Sequence, residues 1–202
     1  MLDTFKHKGL RRIMTSNLEE KGITNESLLE AMNIVPRHWF LESAFLEFSY
    51  GDKPFPNSAN FSISLPFVIA SQLSLLDIKP GDKVLEIGTG VGYQTALLCE
   101  MKAKVFSVEK NKSIFEKTCG LFGKLKYNPK IFYAKDYDML EKFAPFNKII
   151  VSETQEYFPI VLQQQLAIGG KMIVTICNEN EIETKFITRC SARKYDVTIL
   201  AQ

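Results

Sequence analysis

Residues 84–98 read VLEIGTGVGYQTALL. An apolar run of strand length meets Gly88, Gly90 and Gly92, and a stretch with helical apolar spacing follows. Glycines packed this closely mark a tight turn where the backbone must approach a neighbour or a ligand. A strand, a glycine loop and a helix in this order open a doubly wound α/β sheet, which binds its ligand beyond the carboxyl ends of the strands.

The rest of the chain repeats the unit. KVFSVE is strand-like, and NKSIFEKTCGLFGKL is a helix opened by Asn111. KIFYAKD reads as a strand, YDMLEKF as a short helix, NKIIVSE as a strand, PIVLQQQLAIGG as helix then turn, and KMIVTIC as a strand. TKFITRC and YDVTIL follow with no helix between them, so they pair antiparallel at one edge. Upstream, residues 4 to about 33 look helical, with Asn25 capping NESLLEAMNIV. YGDKPFPNSAN is a loop, and SISLPFVIASQLSLLDI is a helix with Ser64 at the N-cap and Pro66 in its first turn. The pattern predicts an α/β fold: a doubly wound, mainly parallel sheet with a helical N-terminal cap and an antiparallel C-terminal edge. A chain of 202 residues suits one domain, 1–202, with a cap and loop over 1–78 and a sheet core over 79–202.

Composition removes several classes of function. Hydrophobic residues make up 46% and charged residues 24%, which excludes a disordered chain. The net charge is +2, and Lys6, Lys8, Arg11 and Arg12 read as a solvated helix face, so no nucleic-acid partner is expected. No apolar stretch is long enough for a signal or a membrane span, so no membrane association is expected. Cys99, Cys119, Cys177 and Cys190 form no CxxC pair, and His7 and His38 are the only histidines, so no metal site is expected. The cysteines read as reduced and mostly buried, in a cytoplasmic protein.

What the loop holds follows from spacing. A dinucleotide needs Gly-x-Gly-x-x-Gly. Here the third glycine comes one residue early, and Tyr93 stands in its place, where it would crowd helix against strand. No Gly-Lys-Ser/Thr is present for a triphosphate. S-adenosylmethionine (SAM) has no phosphates to cradle, and its sulfonium, amino group, ribose and adenine call for acidic partners. Glu86 stands two residues before the first glycine, where a carboxylate could face the sulfonium or amino group. Glu109 ends the second strand, where a ribose acceptor belongs, and Asp136 ends the third, where it could accept from adenine. Thr89, Tyr93, Lys110 and Tyr137 flank these positions and complete the expected SAM site.

LEIGTGVGYQTALL followed by VFSVE resembles the class I SAM-dependent methyltransferases. The segments LLEAMNIVPRHWFL, FSYGDKPFPNSANFSISLPFVIASQLSLL and FNKIIVSETQEYFPIVLQQQLAIGGKMIV are similar to the protein-L-isoaspartate O-methyltransferase family, in the same order and spacing. Val35-Pro36-Arg37, Tyr50-x-Asp52 and Ile63-Ser64-x-Pro66 are the family-specific signals. The resemblance implies methyl transfer from SAM to the free carboxylate of isoaspartyl residues in damaged proteins or peptides. It places the active-site serine on Ser64 and puts Ser62 with the cofactor. A carboxylate acceptor is ionised at neutral pH and needs orientation more than a base. A monomer is expected, with a dimer as the alternative.

Three segments depart from the family pattern. Residues 58–62 lack two glycines and a Gln, Tyr137 replaces a glycine, and Glu153-Thr154-Gln155 replace small residues beside the acceptor groove. An acid at 153 could repel an acidic substrate. These departures leave open a methyltransferase with another acceptor, or a SAM-binding protein without turnover.

Overall fold

The computed structural model describes residues 2–53, 63–177 and 182–200. The N-terminal region holds two helices rather than one, α1 (Phe5–Glu20) and α2 (Glu26–Ile34), separated by a turn. Asn25 caps α2 as expected, accepting from the Leu28 N–H at 3.1 Å. Short 3-10 turns follow over Arg37–Phe40 and Ser43–Phe48, and then α3 (Pro66–Leu76). The sheet and its helices are β1 (Lys83–Ile87), α4 (Tyr93–Glu100), β2 (Lys104–Glu109), α5 (Lys112–Phe122), β3 (Lys130–Tyr133), β4 (Phe146–Gln155), α6 (Ile160–Gln164), β5 (Leu166–Cys177), β6 (Ile182–Arg189) and β7 (Tyr195–Leu200).

The strands lie in the order β3-β2-β1-β4-β5-β6-β7. β1 to β5 run parallel, and β6 and β7 are antiparallel. Only residues 190–194 join β6 to β7, too few for a parallel crossover, so the predicted edge follows from chain length.

Alternation along each strand splits the core between the two faces of the sheet. Val84, Ile150 and Ile173 join the cluster under α1 to α4, while Leu85, Ile149 and Met172 face Leu140 and Leu162 on the other side. The second face is covered by a 3-10 turn over residues 138–143 and by α6, which stops at Gln164. β5 therefore starts earlier than its sequence suggested, with Leu166 paired to Phe146.

The register between β4 and β5 is interrupted. Val151 pairs with Val174 and Gln155 with Ile176, so β4 advances four residues while β5 advances two. Such a bulge re-aims side chains, and here it falls on Ser152, Glu153 and Thr154 at the carboxyl end of the sheet.

Two smaller expectations need correction. Arg11 is not on a solvated face: it is 4% exposed and donates to both oxygens of Asp3, at 2.7 and 2.8 Å. The cysteines are not buried: Cys99, Cys119 and Cys177 are partly exposed and Cys190 is exposed. No helix among the described residues is long and apolar enough to cross a membrane.

Candidate functional site

A cavity of about 280 Å³ opens beyond the carboxyl ends of β1, β2 and β4. Its floor is the loop 88–92, and Tyr93 and Gln94 continue the wall into α4. Glu109 and Ile114 close one side, Ser152 to Thr154 another, and Ile63, Ser64 and Ile69 the third. The glycine loop, the second-strand acid and the proposed acceptor serine, read separately from the sequence, thus share one cavity.

The loop is held from several directions. The backbone N–H groups of Gly88 and Thr89 both donate to Val108 O, at 2.8 and 3.1 Å. Glu109 is 2% exposed and accepts from the Gly90 N–H at 2.9 Å and the Asn111 N–H at 2.8 Å. It is not the cap of α5: Asn111 is, accepting from Ser113 N–H and Ile114 N–H. The Thr118 hydroxyl donates to Gly90 O at 2.7 Å, which ties the loop to α5. A buried carboxylate on the cavity wall, beside backbone N–H groups and glycines without side chains, suits a ligand rich in hydroxyl donors.

Glu86 needs correction. It is fully buried and absent from the cavity wall. Period-two alternation puts it on the same face as Val84, under the helices. Its carboxylate accepts from Thr95 Oγ1 at 2.5 Å, Ser107 Oγ at 2.7 Å and Gln94 Nε2 at 3.0 Å. Ser107 spends its proton on Glu86, so the Thr89 hydroxyl donates to Ser107, at 2.7 Å. Burial pushes the Glu86 carboxyl up to about 7, against the pull of its three hydrogen bonds. Glu86 therefore braces the loop through Thr89 and orients Gln94, which also donates to Ser152 Oγ at 2.7 Å. Gln94 and Ser152 are cavity residues that sequence reasoning missed. The signal for Gln94 was indirect: an acid inside a fully buried strand demands donors nearby.

Ser64 lines the cavity but does not cap α3. The N-cap is Leu65, with no side-chain hydrogen bond. Asp52 does that work from upstream, its Oδ1 accepting from the Phe67 N–H at 3.1 Å, while its Oδ2 pairs with Lys21. Arg37 Nη2 donates to Ser64 O at 2.9 Å. Tyr50 meets His38 Nδ1 at 2.6 Å and accepts from Arg11 at 3.3 Å. The Val-Pro-Arg and Tyr-x-Asp signals thus brace the entry to α3 and leave the Ser64 hydroxyl uncommitted among the described residues.

Tyr93 lines the cavity and is buried, yet it does not crowd the strand. Its ring turns toward the cap, 5.6 Å from the Phe40 ring and 4.8 Å from the Arg37 guanidinium. Lys110 and Glu153 form an ion pair at 2.5 Å, so the acid at the acceptor side carries a neutralising partner. Tyr137 donates to Gln155 Oε1 at 3.2 Å, off the cavity wall. Asp136 is exposed and also off the wall, because β3 ends at Tyr133 and leaves it in the turn beyond. Ser62 and the divergent positions 58–61 lie outside the described residues.

The sequence profile of the protein-L-isoaspartate(D-aspartate) O-methyltransferase family matches residues 10–201. A protein-L-isoaspartate O-methyltransferase of Christiangramia forsetii is 41% identical over 97% of this chain and 92% of its own. One from Flavobacterium johnsoniae is 44% identical over 94% of this chain and 89% of its own. Among solved structures, one described as a protein-L-isoaspartate O-methyltransferase from Plasmodium falciparum, in complex with S-adenosyl-L-homocysteine, superposes with a TM-score of 0.79. That likeness, at 24% identity over 97% of this chain and 95% of the other, establishes the fold.

Proposed function

The chain belongs to the protein-L-isoaspartate(D-aspartate) O-methyltransferase family, a SAM-dependent enzyme family, and on that premise we propose a division of labour within its cavity. The reaction is transfer of the SAM methyl group to the free carboxylate of an isoaspartyl residue in a damaged protein or peptide. The observation that carries the reading is the convergence of loop 88–92, Glu109 and Ser64 on one cavity.

The donor set fits the cofactor. Gly90, where a Cβ would meet nothing within 4 Å, leaves room above the loop, and the Glu109 carboxylate is the acceptor for ribose hydroxyls. Bound there, SAM would supply an electrophilic methyl group on its sulfonium, with S-adenosyl-L-homocysteine as the thioether left behind. The protein's part is to hold the acceptor carboxylate in line with that methyl. Ser64 donates its hydroxyl to one carboxylate oxygen and fixes its direction. The acceptor arrives ionised, so no general base is required, and no histidine lines the cavity among the described residues. Lys110 neutralises Glu153, which supports an acidic acceptor at the altered end of β4. The partners are isoaspartyl-containing proteins or peptides.

Label from methyl-tritiated SAM, transferred to an aged peptide mixture, should be released as volatile methanol by mild base, as a carboxyl methyl ester requires. Label that survives base would mean transfer to nitrogen or carbon and would refute the reading.

A further inference from the structure

Arg37 is fully buried on the 3-10 turn that follows α2. Nη2 donates to Ser64 O at 2.9 Å, while Nε and Nη1 are buried with no hydrogen-bond partner among the described residues. No carboxylate pairs with it among the described residues: Asp52 is the acid whose charge reaches it, and both Asp52 oxygens serve Phe67 N–H and Lys21. The ring of Tyr93, 4.8 Å away, is its remaining compensation. A guanidinium stays charged even when burial lowers its proton affinity, as it does here. An apolar side chain of similar volume would pack this position at lower cost. A cation kept there with no carboxylate partner among the described residues suits an anionic ligand nearby.

Ser64, which accepts from Arg37, and Tyr93, whose ring its guanidinium faces, both line the cavity. Its charge therefore sits directly behind the wall at the serine end, in a medium where fields carry far. The buried Glu109 lines the same cavity, so a carboxylate and the cation behind the wall both act on what it holds. We propose that Arg37 is a positioning residue for the acceptor: its unpaired charge draws the acceptor carboxylate to the serine end, while its bond to Ser64 O fixes the hydroxyl that orients it. This inference rests on the reaction proposed above and names the residue that selects the charged acceptor. The methionine carboxylate of SAM carries the same chemistry, so the test separates the two anions.

The test compares two ligands on the S-adenosyl-L-homocysteine complex, by calorimetry. One is a short peptide with an isoaspartyl residue bearing its free α-carboxylate, and the other is the same peptide with that group as the carboxamide. Wild type should favour the carboxylate, and Arg37→Gln should reduce that preference about tenfold, the scale of one buried charge–anion interaction. Arg37→Lys, which keeps the charge, should retain most of the preference. Affinity for S-adenosyl-L-homocysteine should stay within about twofold in both variants. A merely structural role would lower stability and weaken both peptides alike; an intact preference in Arg37→Gln overturns the proposal. So does a large loss of S-adenosyl-L-homocysteine affinity with the peptide preference unchanged, which would assign Arg37 to the cofactor. If Arg37→Gln fails to fold, loss of the preference in folded Arg37→Lys overturns it equally. Because binding is read directly, the outcome does not depend on turnover, and absence of methylation by wild type would instead count against the proposed reaction.

Discussion

The loop glycines do two separable jobs, and alanine substitutions should separate them. Gly92 is the N-cap of α4 with φ of 90° and ψ of 3°. A Cβ there would lie 2.6 Å from Phe122 Cε2 and 2.9 Å from Thr118 Cγ2. Neither neighbour can yield cheaply, since Phe122 is 6% exposed and Thr118 holds Gly90 O. The left-handed conformation costs an L-residue about 1–2 kcal/mol. Overpacking a tight core adds about 1–3 kcal/mol. Gly92→Ala should therefore lose about 2–5 kcal/mol, a large share of the ~5–15 kcal/mol of a typical domain. Gly90 has φ of 53°, and a Cβ there meets nothing within 4 Å. Gly90→Ala should cost only the conformational ~1–2 kcal/mol, yet its methyl narrows the space above the loop and should weaken SAM binding at least about tenfold, on the order of 1.4 kcal/mol. Urea denaturation followed by circular dichroism gives the stabilities, and titration calorimetry gives the affinities. A loss below about 1 kcal/mol in Gly92→Ala, or a larger loss in Gly90→Ala than in Gly92→Ala, would refute this reasoning.

Other outcomes follow from the same geometry. Glu109→Ala should weaken SAM binding about tenfold or more, because it removes a buried charged acceptor; Asp136→Ala, in the exposed turn, should change it far less, and equal losses in calorimetry would contradict the assigned walls. Ser64→Ala should lower kcat on an isoaspartyl peptide while leaving SAM affinity within about twofold; an unchanged kcat would reduce Ser64 to a lining residue. Glu86 sets a pH dependence of stability. Its carboxyl rises from 4.5 to about 7 on folding, so the native state binds the extra proton between those values and this group's contribution falls as pH rises through that window. The effect reaches at most about 3 kcal/mol, and Glu86→Gln should flatten that slope in urea titrations at pH 4.5 to 7; an unchanged slope would place its origin elsewhere.

The parts legible in the sequence are those set by local period and spacing. The alternation of strand and helix, the glycines and the short β6–β7 connection each carry their own steric reason, and the fold follows from them. Glu109 was readable because it ends a strand whose length the apolar run defines. Glu86 lies near the end of its strand in sequence but on its inner face in space: alternation with Val84 turns it inward, toward hydroxyls that α4 and β2 provide. KIFYAKD looks extended to its end, while pairing with β2 stops at Tyr133 and leaves Asp136 in the turn beyond. The cap of α3 was assigned to Ser64 by proximity, whereas the structure uses Asp52, fifteen residues before Phe67 in the chain. Such long-range acceptors leave no periodic trace. Arg37 appeared in the sequence only as part of a family signal, and its missing partner becomes visible only once burial is known.

Methylation of an isoaspartyl carboxylate in this cavity, despite its altered acceptor side, is open to direct assay. The most direct measurement is kcat/KM with labelled SAM on one short peptide made twice, with an isoaspartyl and with a normal aspartyl residue at the same position. Turnover is expected on the isoaspartyl form and none above background on the aspartyl form. Equal turnover on both, or none on either with SAM binding intact, would contradict the proposed reaction.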